Sequence, residues 1–139
     1  MNKPKRFQRY RVPAYTLQEL LVVLVIIGIL ILLVLPNLMP LISKAKSTEA
    51  QLQLHHLYTL EKSYYYLYSK YSNNFDEVGF EQEKLTTEGG KANYLIELIQ
   101  ATNSGFTARA IAVTDFDGDG MFNVWEMDQD NNLREITKD

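Results

Sequence analysis

Residues 15–36 read YTLQELLVVLVIIGILILLVLP, and the remainder of the chain is read outward from them. Residues 20–35 carry no charge and no hydrogen-bonding side chain, only Leu, Val, Ile and one Gly. At 1.5 Å per residue these 16 positions make a helical rod of roughly 24 Å. Residues 15–17 in front and 38–42 behind bring the segment to the ~20 residues a bilayer core requires. Two features interrupt it, Glu19 and Pro36. A carboxylate inside a membrane segment is costly and marks a candidate functional position. Ahead of Tyr15 stand Lys3, Lys5, Arg6, Arg9 and Arg11, with no acid among them. That bias predicts a cytoplasmic N-terminus.

The run PAYTLQELLVVLVIIGIL resembles the class III leader of type IV pilins and of type II secretion pseudopilins. In that family a short basic leader is removed just before an aromatic or apolar residue, which is then N-methylated. Glu stands fifth in the processed chain, with Gly fourteenth and Pro twenty-second. Counting Tyr15 as first puts Glu19, Gly28 and Pro36 at those places. The family usually has Gly before the cut and Phe after it, whereas here Ala14 precedes Tyr15. The resemblance covers about the first 40 residues. It implies a leader, residues 1–14, cut by a prepilin peptidase between Ala14 and Tyr15. It also implies residence in the inner membrane before assembly, then an extracellular or periplasmic filament built with itself and other pilins. In such a filament Glu19 would pair with the free amine of a neighbour's Tyr15. Two alternatives stay open: a secretion pseudopilin, and an anchored calcium-binding protein that never polymerises.

Composition narrows the function. The chain has 139 residues and a formal charge of −3, with no cysteine. Five of its 14 basic residues precede Tyr15, leaving nine against 17 acidic ones, a net −8 for the processed chain. Such a surface has no basic face for nucleic acid. No disulfide can staple an exported head. The two histidines are adjacent, and no nucleophile–base pair, phosphate loop or catalytic metal constellation is visible, so no enzymatic activity is expected. A conventional signal peptide would be cut after the apolar run, where PNLMPLISKAKS offers no small-residue site.

Beyond Pro40 the pattern is amphipathic at helical spacing: Leu41, Ala45, Thr48 and Leu52, then Leu57, Leu60, Tyr64, Leu67 and Tyr71. One long helix over 15–71 is expected, bent at Pro36 and apolar across 15–42, with a head over 72–139. Gly28 and Pro36 mark a stretch able to kink or to melt. Tyr64, Tyr65, Tyr66, Tyr68 and Tyr71 cover several sides of that helix and read as packing residues. Residues 72–90 read as a polar loop, and NYLIELIQ as strand or helical turn. Phe106 to Val113 alternate with strand periodicity, and shorter strands are expected over 121–126 and 133–137. The expected class is α+β, a long helix on a small antiparallel sheet.

Residues 115–126, DFDGDGMFNVWE, fit the twelve-residue calcium loop. Asp115, Asp117 and Asp119 take positions 1, 3 and 5, and Gly120 the turn. Met121 would offer its carbonyl, Asn123 a direct or water-mediated contact, and Glu126 both carboxylate oxygens. Asp128 and Asp130 are possible substitutes. Because a strand precedes the loop, the reading is an EF-like loop grafted on a sheet, with Ca2+ fixing the C-terminal segment in place of a disulfide.

Overall fold

The computed structural model of the protein describes residues 14–139; the predicted leader, apart from Ala14, lies outside them. Helix α1 runs Leu17–Tyr68, 52 residues that remain helical through Gly28, Pro36 and Pro40. It ends three residues before the sequence pattern does, because Ser69 turns to φ 56°. The chain divides into two compact units after Pro36. In the first, the apolar positions of α1 are exposed all round. In the second, Asn37–Asp139, the same helix gains a partner.

That partner is a four-stranded antiparallel meander, β1 Tyr94–Ala101, β2 Phe106–Ala112, β3 Val124–Asp128 and β4 Leu133–Thr137, paired in sequence order. The α+β class expected from the pattern is the one observed. The ambiguous NYLIELIQ resolves as β1, whose Ile96 pairs with Ala110. On the inner face of β2, Phe106, Ala108, Ala110 and Ala112 are buried. Three alanines in a row keep that face low, so Ala50, Leu54 and Leu57 of α1 reach the sheet in one core with Tyr94, Ile96 and Met127. Burying a side chain of Leu size is worth about 1.5–3 kcal/mol, so this stripe anchors the helix. Glu49 adds a polar tie, its two oxygens accepting the Asn93 N–H and Nδ2 at 2.7 Å each.

The 69–92 connection crosses the head with its own punctuation. Asn74 caps the short helix α2, Phe75–Val78, and Gly79 ends it at φ 74°. Gly90 passes so close to Lys84 that a Cβ there would lie 1.9 Å from the Lys84 carbonyl oxygen. Between them Gln82 lies along β1, donating Nε2–H to the Tyr94 carbonyl and accepting the Ile96 N–H on Oε1.

The apolar helix and the acidic loop as candidate functional sites

Helix α1 begins with a capping box. Thr16 donates its N–H (2.8 Å) and its hydroxyl (3.0 Å) to Glu19 Oε2, and its Oγ accepts the Glu19 N–H at 3.3 Å. Reciprocal bonds of this kind satisfy the orphan donors of a helix start. Both Thr16 contacts fall on one carboxylate oxygen. After Glu19 the positions through Leu35 are exposed, from 46% at Ile27 to 73% at Leu32. Such a surface is unstable in water and demands an apolar surrounding. Among the described residues α1 is the helix long and apolar enough to cross a membrane, by length and composition. Gly28 touches no side chain within 4 Å of where a Cβ would stand, so its smallness leaves the surface open there.

The acidic loop takes a tight form. Asp115 accepts the Gly118 N–H at 2.6 Å on one oxygen and the Gly120 N–H at 2.7 Å on the other. Gly118 (φ 84°) and Gly120 (φ 88°) sit in the left-handed region, where a side chain would be strained. Asp117 accepts the Asp119 N–H, and Asp119 the Met121 N–H. The third arm comes from the far end of the chain: Asp139 accepts the N–H groups of Phe116 (3.0 Å) and Asp117 (3.1 Å). Carboxylate oxygens of Asp115, Asp117 and Asp139 lie within 4.8 Å of one another. The amides of Gly120 and Gly118 hold the Asp115 carboxyl below its ordinary range. Asp117 behaves oppositely: the Asp119 amide pulls it down, but desolvation and the charges of Asp119, Asp139 and Asp115 outweigh that and raise it. Crowded carboxylates with one forced upward are an arrangement that a cation relieves. Lys46 of α1 lies 4.2 Å over the Phe116 ring and steadies the loop from the helix side.

The other residues of the twelve-residue pattern are placed elsewhere. Asn123 is buried, accepting the Tyr94 hydroxyl (2.8 Å) and donating Nδ2–H to Glu135 (2.8 Å) and to the Thr137 carbonyl (3.0 Å). It is a strut between β1, β3 and β4. Glu126 points from the outer face of β3 and accepts Arg109 Nε at 2.8 Å and Arg134 at 3.1 Å. Asp119 and Met121 remain on the exposed rim of the loop. Spacing within the motif gave no sign of Asp139, which β4 carries back to the loop. Because Arg109 and Arg134 are 40% and 60% exposed, Glu126→Gln should cost about 1 kcal/mol or less of stability, read by urea denaturation.

No family model matches the chain. Over 70 residues it is 39% identical to the type IV major pilin protein PilA of Myxococcus xanthus (strain DK1622). The aligned part covers 50% of this chain and 32% of that relative, so the chain spans about a third of its length.

Proposed function

We propose that the chain is a structural subunit of a type IV pilus or a closely related filament, assembled through its N-terminal helix. The observation that carries this reading is Glu19, an acidic group at the head of the uncharged, exposed apolar stretch 20–35 of α1. The identity to a protein described as a type IV major pilin supports it and favours a pilus over a secretion pseudopilus. A prepilin peptidase cuts between Ala14 and Tyr15, and the new N-terminus is methylated. The apolar helix holds the subunit in the inner membrane until it joins neighbouring copies and other pilins. Thr16 occupies one oxygen of Glu19, and the other is left for the Tyr15 amine of the adjacent subunit. Head-to-tail contacts of this sort do not close, so they propagate as a helical filament. The acidic heads face outward, at the cell surface, and the role is structural rather than enzymatic.

The test is the N-terminal mass and sequence of the protein recovered from its own cell surface. A chain starting at N-methylated Tyr15 is the expected result. An intact Met1, or a cut beyond Pro36, would overturn the reading and leave an anchored or secreted calcium-binding domain.

The head, on the same proposal, binds Ca2+ through Asp115, Asp117 and Asp139, with hard oxygen donors of the kind calcium takes. What supports this is the convergence of the three carboxylates on a loop whose amides are already turned inward to hold them. Binding energy then becomes folding energy, in place of a disulfide. At calcium about a hundredfold above Kd the melting temperature should rise by about 10 °C, a rise that EGTA removes. Asp115→Asn and Asp139→Ala should each abolish that rise, whereas Glu126→Gln should keep it. The reverse pattern would return the twelfth position of the motif to the ligand set.

A further inference from the structure

Glu61 is fully buried on α1, one turn before the tyrosine-rich end of the helix. Its Oε2 accepts the Ser72 N–H at 3.1 Å, while Oε1 is buried without a hydrogen-bond partner. Ser72, itself buried, also donates its hydroxyl to Glu77 of α2 and accepts the Asn74 N–H at 3.0 Å. One serine therefore ties the chain reversal after α1 to two carboxylates at once.

Charges around Glu61 do not favour its ionised form. From α2 the facing group is Glu77, a like charge, which also accepts the Tyr64 hydroxyl at 3.1 Å. From α1 the neighbouring Lys62 donates to the Tyr71 hydroxyl at 3.1 Å and lies over the Tyr58 and Tyr71 rings. Lys70 acts on Glu77. Among the described residues the salt bridges are both made by Glu126, and Glu61 has no cation. A buried carboxylate with one oxygen unpaired and no counter-ion is far costlier ionised than neutral.

We propose that Glu61 is a proton-operated latch: as a neutral acid it holds the 69–79 connection against α1, and on losing its proton to water it releases that connection. Burial pushes its carboxyl upward first, the Ser72 amide opposes, and the Glu77 charge adds to the rise. The sign follows. A carboxyl raised on folding contributes stability that is complete below its unfolded value and is lost as pH climbs through the folded one. Ionised Glu61 draws in water, and the segment that must move to admit it carries Ser72, α2 and Tyr71. The Tyr71 ring lies 4.8 Å from Tyr65 and 5.1 Å from Phe106, so the latch governs packing at the aromatic end of the head. The latch is independent of the filament reading.

The experiment follows the Glu61 carboxyl carbon and the Ser72 amide by NMR in the full chain in detergent micelles, from about pH 5 to about pH 8, inside the span known for buried carboxyls. Glu61 should titrate above an ordinary glutamate. Between the ordinary glutamate value and that point the Ser72 protection factor should fall by about tenfold per pH unit, as for release of one proton, and level off above it. In Glu61→Gln, where the amide oxygen still accepts the Ser72 N–H, protection should stay flat. An ordinary Glu61 titration, or a wild-type Ser72 profile as flat as that of the variant, would overturn the latch. Should the variant fail to fold, the wild-type carboxyl titration decides alone.

Discussion

Glu19→Ala should leave the chain in the membrane and remove it from filaments. The substitution takes away the carboxylate that closes the capping box on Thr16 and, with it, the acceptor proposed for a neighbour's amine. Loss of the cap by itself costs about 0.5–2 kcal/mol at the helix start, too little to eject the apolar stretch 20–35 from a bilayer. Loss of the intersubunit pair is larger. Leaving one partner of a desolvated pair alone costs about 3–5 kcal/mol, which is a factor of about 10²–10³ or more in association. The quantity to measure is the ratio of protein in sheared filaments to protein in washed membranes. Equal ratios for the variant and the wild type would mean that Glu19 serves its own helix only.

Phe106→Ala should be the most damaging single change in the head. Phe106 is 1% exposed, and its ring lies 5.1 Å from Tyr71 and 6.3 Å from Tyr58. It thus joins β2 to the helix and to the connection beyond it. Truncating a buried phenylalanine costs about 3–5 kcal/mol once the cavity is included. A domain of this size has only about 5–15 kcal/mol to lose. Denaturant titration should show a lower midpoint with an unchanged slope. Tyr66→Ala, at a ring 81% exposed on the same stretch of helix, should stay within about 0.5 kcal/mol of wild type. If the two variants were equally stable, the cluster around Phe106 would not be the core it is described to be.

Legibility in the sequence followed the range of the forces involved. Residues 106–112 alternate strictly, and β2 lies there with its alanine face inward, because a half-buried strand imposes its period on composition. Strand β1 was ambiguous since an apolar run of its length suits either structure, and only pairing with β2 decides. The extent of α1 was clear, but its last turn was not: Tyr71 keeps the helical spacing while the backbone has already reversed at Ser69. In the acidic loop the close-range part was readable. Asp115, Gly118 and Gly120 make their bonds within five residues of one another. Glu126 and Asn123 depend on register instead. Pairing of Glu126 with Arg109 and Arg134 across three strands sets its direction, and the bond to Tyr94 fixes Asn123 inside. Asp139 joins Asp115 only through tertiary structure, and Glu61 looks in the sequence like one more polar position on a helix surface.

Gln82 has a consequence for copies packed side by side. A sheet with an open outer strand is a template, and at the concentrations inside an ordered polymer a second chain is always within reach. By presenting both halves of its amide to Tyr94 and Ile96, Gln82 acts as a one-residue counterfeit strand that occupies a carbonyl and an N–H at the start of β1. At the opposite margin, β4 shows Arg134 and Glu135, whose charges discourage a stranger from annealing. Both margins of the sheet thus carry features that oppose edge-to-edge pairing between crowded heads.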